Sequence, residues 1–288
     1  MSDKAVFDLE QGHGNHFDCI TEESDRDELI KQLPEMLQRA KLTVSPGASI
    51  PCSLGDGYPR QLQCAMLADS EDALHLNMLI GLNINGERNE LISFYPEMDG
   101  AEIPVTLTDI HEWGNGLEAT LEGTICNGEH HIAFFDTRYI AHKGKYKIGE
   151  SYTFRIAAFA GDCERLENPT FTMEGQQAID FKAKLGEKPD YDENGNVKPL
   201  VFDMSGMVAF LQHSVAYPHV AEFQSPAVAV SVEKAWNREY YSIKIAVAHD
   251  EEDNEVCIPL IAKKSFFKRD LSSGSPIRGI AYVMGFLP

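Results

Sequence analysis

The residues best suited to chemistry in this chain fall in two short segments where cations alternate with aromatic rings. The first holds Arg138, Tyr139, His142, Lys143, Lys145, Tyr146 and Lys147; the second holds Lys263, Lys264, Phe266, Phe267, Lys268 and Arg269. Cations neutralise phosphates and rings stack on bases, so such segments could hold a single-stranded nucleic acid or a nucleotide. The competing expectation is that the rings plug the end of a β-structure while the lysines stand in solvent.

Other constellations are weaker. Asp190, Asp192 and Asn194, followed by Gly195, match the first half of a calcium loop, in which oxygen ligands alternate and a glycine makes the sharp turn. The twelfth position is Val201, which cannot ligate, so a plain polar turn is expected and no metal. His13, His16 and Cys19 are spaced by three and could reach one zinc ion, but they sit in a polar stretch with no fourth ligand. His111-Glu112 opens like a zinc-protease motif, yet Asn115 stands where the second histidine belongs. His130 and His131, adjacent on a strand, point to opposite faces. No phosphate-binding glycine loop and no nucleophile elbow occurs, so no base or nucleophile can be named and no cofactor is expected.

Charge sets the second constraint. The chain of 288 residues has 25 basic and 45 acidic side chains, a net charge of −20. Residues 1–100 carry 18 acidic and 7 basic groups (−11), residues 101–175 carry 12 and 6 (−6), and residues 226–288 carry 8 of each. Such a field repels nucleic acid and anionic membrane at long range and favours steering of a complementary protein partner. The opening MSDKAVFDLEQ is not a signal peptide, and no apolar run reaches the roughly 20 residues that span a bilayer. Six cysteines without a CxxC pair fit a cytoplasmic protein with reduced thiols.

The elements that must position these residues are mostly strands. Residues 1–22 read as a loose tail. Ser24 with Asp27 resembles a capping box ahead of a helix through Leu29, Leu33 and Leu37, which Pro34 should kink or delay. Leu62 to Ala68 and Leu74 to Ile84 alternate with period two, and Asn85-Gly86 marks a hairpin to Leu91–Tyr95. A similar order then occurs twice, over about 105–161 and 227–287: an alternating run, a tryptophan (Trp113, Trp236), two more runs, a basic-aromatic segment and a last alternating run. Residues 176–203 read as a polar linker, and Met204 to His213 as a short helix.

Three linked strands, a connecting segment and a fourth strand resemble the small OB-type barrel. The expected fold is mainly β with minor α: antiparallel small barrels, two OB-like modules in tandem, with an antiparallel β-sandwich as the alternative. The expected domains are 23–175, led by the helix and containing the first copy, and 204–288, with the second. Three functions follow. The favoured one is a non-enzymatic cytoplasmic binding protein with a protein partner. The second is a single-stranded nucleic-acid or nucleotide binder using 138–147 and 263–269. The third is an enzyme of unknown class with a site assembled from loops.

Overall fold

Alternation of apolar and polar side chains decides most of the architecture. In the computed structural model the described residues are 19–22, 25–212 and 216–288. The elements run α1 (Arg26–Arg39), β1 (Lys41–Val44), β2 (Ile50–Pro51), β3 (Gln61–Ala68), β4 (Leu74–Ile84), β5 (Arg88–Met98), β6 (Ala101–Glu112), β7 (Ala119–Ile125), β8 (His130–Asp136) and α2 (Tyr139–His142). They continue with β9 (Ser151–Arg165), β10 (Thr170–Met173), α3 (Gly175–Lys184), β11 (Leu200–Asp203), β12 (Ala209–Leu211), β13 (Val220–Ala235), β14 (Arg238–His249), β15 (Glu255–Lys263) and β16 (Pro276–Phe286). The chain is mainly β, with several antiparallel sheets.

Strands β1-β3-β4-β5, with β2 on β3, form a five-stranded sheet. Leu62, Cys64, Met66 and Ala68 of β3 and Leu74, Leu76, Met78 and Ile80 of β4 are all buried, as period two requires. Asn85 and Gly86 adopt φ of 54° and 79°, the left-handed conformation that lets the chain reverse into β5. Beside this sheet lies a nine-stranded one, ordered β12-β13-β14-β15-β9-β16-β8-β7-β6, with added pairings β13–β16 and β9–β6. Those extra pairings close two cycles. One is β6-β7-β8-β16-β9 and back to β6; the other is β13-β14-β15-β9-β16 and back to β13.

The antiparallel pair β9–β16 belongs to both cycles. Its register sets Ala158 opposite Val283, with Ala160 opposite Ala281 and Ile156 opposite Gly285 on either side. Strand β8 runs parallel to β16 through Phe135↔Met284, and β15 runs parallel to β9 through Ile261↔Phe159. Ala158, Ala160, Ala281 and Val283 are fully buried inside the largest core cluster, which draws on both cycles. Trp113 and Trp236 each lie in the turn after the first strand of a cycle. Trp236 and Asn237, at φ 50° and 61°, make the tight two-residue reversal between β13 and β14.

Several expectations need correction. The helix begins after Asp25, not at Ser24, which lies outside the described residues. The helix is not delayed to Pro34, which lies inside it, and the Ile30 carbonyl that loses its donor belongs to an exposed residue that water can reach. Of the expected tail, residues 1–18, with His13 and His16, lie outside the described residues, but Cys19, Ile20 and Thr21 are buried against the body. The expected linker 176–203 holds α3 and β11, and β11 pairs with β10. The expected helix from Met204 is a turn followed by β12; His213 lies outside the described residues. Phe210 packs on the main core and β12 completes the ladder on β13, so tertiary pairing overrides the helical spacing.

Close approach fixes the crossing of the two cycles. A Cβ added at Gly279 on β16 would stand 2.1 Å from the backbone oxygen of Asp162 and 2.9 Å from its carbonyl carbon. Backbone cannot yield as a side chain can. Gly279→Ala is expected to lower stability by roughly 2–3 kcal/mol, read as a lower urea midpoint at unchanged slope. Gly47→Ala, where nothing lies within 4 Å, serves as the neutral control. Equal midpoints for the two variants would show that β9 and β16 are not held this closely.

Candidate functional site

The first basic-aromatic segment follows β8 and lies where the two large sheets meet. Glu97, near the end of β5, is 1% exposed, yet it carries its charge inward. Its carboxylate accepts hydrogen bonds from the Arg138 guanidinium (Nη2 at 2.6 Å, Nε at 3.1 Å), from the Asn77 amide at 2.9 Å and from the Thr137 hydroxyl. The His75 imidazole stands 3.2 Å away. Burial alone would raise the Glu97 pKa, but the His75 hydrogen bond and the charge of Arg138 outweigh it and hold the carboxyl at about 2. His75 moves up in return: burial opposes its charge, and the hydrogen bond and charge of Glu97 overcome that. Arg138 also lies over the Phe286 ring, with 3.8 Å from Cζ to the centroid.

A second carboxylate sits on the other side of Arg138. Asp136, fully buried at the end of β8, accepts from the Tyr146 hydroxyl at 2.7 Å and from the Arg138 backbone N–H at 2.9 Å. Burial dominates here and lifts its pKa to about 7. Tyr146 stacks on Tyr139 at 6.3 Å between centroids, and the Tyr139 hydroxyl donates to Glu112 at 3.0 Å. Lys143 bonds to the same Glu112 at 2.6 Å and to the Gly116 carbonyl. Two carboxyl groups with pKa values pushed apart are the raw material of acid–base chemistry. Both carboxyl groups are buried here, and through Asn77, Thr137 and Arg138 the Glu97 carboxylate joins the two sheets as a latch.

The second segment follows β15 in the same way. Lys263 reaches the Thr21 carbonyl at 3.1 Å and Glu22 at 3.6 Å, and lies over the Phe266 ring at 4.7 Å. Lys264 bonds to Glu239 at 3.1 Å and lies over Tyr241 at 5.3 Å. Phe266 and Phe267 pack against the main core, Phe267 at 5.6 Å from the Tyr241 ring, and Arg269 faces Glu167 at 3.5 Å. In both segments the rings are turned inward and the cations nearest the strand are engaged by the chain's own acceptors. Lys145, Lys147 and Lys268 are the exposed remainder. The two segments anchor to different partners, one to Glu97 and Glu112, the other to Glu22 and Glu239.

The remaining candidates have local roles. Asp190 bonds to Lys182, and Asp192 accepts the backbone N–H groups of Asn194 and Asn196, closing the turn on itself. His111 and His131 contact separate oxygens of Glu122 at 2.8 and 3.3 Å; those hydrogen bonds lower the Glu122 pKa to about 2. Among the described residues, no group of three or more histidine, cysteine or carboxylate side chains is placed to hold a metal ion. A cavity of about 560 Å³ opens beside Ile140, Lys143 and Lys145, with Cys64 in its wall. Burial pushes the Cys64 thiol up to about 12, which leaves it without nucleophilic character at neutral pH. Glu97, Asp136, Asn77 and Thr137 were not evident as site residues. Asp136 continues the inward alternation of Ile132 and Phe134, whereas Asn77 stands out of phase with Leu74, Leu76 and Met78 and Thr137 lies beyond the end of β8, so alternation does not mark them.

No protein family, no curated protein and no solved structure matches this chain.

The Asp136 latch has a pH signature. Its folded-state pKa of about 7 lies above the ordinary 3.8, so the stabilisation is complete below pH 4 and fades as pH rises towards 7. Asp136→Asn removes that titration. Relative to the variant, wild type should lose on the order of a few kcal/mol between pH 4 and pH 7 and nothing further above pH 8. Chemical denaturation of both proteins across this range checks it. A difference that stays constant from pH 5 to pH 8 would rule the buried acid out.

Proposed function

We propose that this chain is a non-enzymatic protein-binding protein, and that its two strand cycles are tandem OB-like modules derived from one repeated unit. The matched strand order, the equivalent places of Trp113 and Trp236, and the mutual exchange of β9 and β16 support the repeat. One observation carries the binding role. Between residues 166 and 211 the chain leaves the strand cycles to form the two-stranded β10–β11 sheet with α3 between its strands in sequence, and there it exposes Phe171, Leu185, Tyr191, Val201, Met207 and Leu211. Leu185 and Val201 are 60% and 61% exposed. Ala178 is the buried side chain of α3, and a Phe181–Phe202 edge contact ties the helix to the β10–β11 sheet.

A two-stranded sheet keeps both outer edges open, and exposed apolar side chains, here Phe171 on one face and Val201 on the other, offer places for a partner protein to dock. The same stretch exposes Lys184, Glu187, Lys188 and Lys198. The nucleic-acid reading loses ground for a concrete reason: Arg138, Lys143, Lys263, Lys264 and Arg269 already face carboxylates of this chain. A bound phosphate would have to displace them against a net charge of −20.

Cross-linking of the full chain in its native extract, followed by mass spectrometry, tests the proposal. Partner peptides are expected on Lys184, Lys188 and Lys198, and they should vanish in the Phe171→Ser/Val201→Lys double variant. Because both side chains are exposed, that variant should keep its stability within roughly 0.5 kcal/mol per site. Sub-micromolar binding of a labelled single-stranded oligonucleotide near physiological salt would instead put the nucleic-acid function first.

A further inference from the structure

Residues 19–22 meet the second strand cycle as a ligand meets a site. Cys19 and Ile20 are completely buried and Thr21 is 2% exposed. Cys19 and Ile20 join the cluster that contains Phe159, Tyr240, Ile261 and Met284. Three acceptors in a row are taken by side chains far along the chain. The Tyr240 hydroxyl donates to the Ile20 carbonyl at 2.7 Å, Lys263 donates to the Thr21 carbonyl at 3.1 Å, and Ser265 donates to the Glu22 carboxylate, which Lys263 also approaches. The donors stand on β14, at the end of β15 and in the turn 264–266, more than 200 positions from the segment they hold.

Two of these bonds go to main-chain carbonyls, which every peptide has. The selective features are an apolar side chain at the place of Ile20 and a carboxylate two positions later. Lys263 is preset for that carboxylate by its seat over Phe266. We infer that the cleft between Tyr240, Lys263 and Ser265 is a docking site for short acidic peptides of the form apolar–any–acidic, and that residues 19–22 fill it in cis as a tethered competitor. This site is separate from the 166–211 surface, and neither stands on the other. Tethering raises the local concentration of the internal segment to the order of millimolar, so a free peptide gains access only when that segment is weakened or displaced.

The test uses the full chain and a fluorescein-labelled peptide with the sequence of residues 17–24. Wild type should show no saturable anisotropy change up to roughly 100 µM peptide, well below the tethered concentration. The Ile20→Asp/Glu22→Lys variant, with its own segment weakened, should bind saturably, and adding Lys263→Met should weaken that binding at least tenfold. Absence of binding to the weakened variant, or binding indifferent to Lys263, overturns the site. Should the double variant fail to fold, thiol alkylation of wild type in sub-denaturing urea decides instead. Cys19 reacting well before the buried Cys163, with little urea dependence, supports a detachable segment; Cys19 and Cys163 reacting together with global unfolding overturns it.

Discussion

The buried charge of Glu97 is the constraint to which the two large sheets answer. An ionised carboxylate removed from water costs several kcal/mol unless it is fully bonded. Its donors come from two directions: Asn77 and His75 on the neighbouring β4, and Thr137 and Arg138 at the end of β8. A slip of one residue between the sheets would turn these side chains away and strand the charge. Asp136 tightens the same joint, because its Tyr146 and Arg138 contacts hold the turn that presents the guanidinium. Tyr95 adds a further tie, with its hydroxyl on the Thr137 carbonyl at 3.1 Å and its ring edge-on to Phe135.

The uneven distribution of charge along the chain takes on a structural meaning in this light. The acidic first hundred residues do not only repel solvent anions. Glu22 meets Lys263, Asp25 meets Arg238 at 3.0 Å, and Glu97 meets Arg138. Each pair joins the N-terminal third to one of the strand cycles. The segments that look most like ligand-binding loops in the sequence are therefore, in the fold, joints within the chain. Exposed ion pairs contribute little on their own, so the weight falls on Glu97–Arg138, where burial makes the pairing obligatory.

Much of the fold was readable because strands buried on one face must alternate. Leu62 to Ala68 and Leu74 to Ile84 needed nothing more, and Asn85-Gly86 located its own turn. The appendage was not readable. Helix α3 buries Ala178, and one small buried residue makes no apolar stripe. Phe210 and Ala209 satisfy a helical spacing as well as a strand, and only the edge of β13 decides between them. The site fared worse still. Glu97 and Asp136 are single carboxylates at strand ends, where acids usually face water, and their depth depends on a sheet-to-sheet register that no local pattern records. Cys19 to Thr21 look like tail because their partners, Tyr240 and Lys263, lie at the other end of the chain.

The shared pair β9–β16 has a consequence for how this polypeptide is made. Neither strand cycle can close without β16, which pairs with β8 and β9 from much earlier in the chain. During synthesis, β6 to β8 emerge early with β9 but face an open gap where β16 belongs, and β15 completes its cycle only once β16 has been made. Until β16 is in place both halves carry unpaired strand edges and uncovered apolar faces, the condition under which chaperones bind and aggregation competes. Long-range pairings of this kind are also slow to form. The architecture ties the closing of both cycles to this one strand.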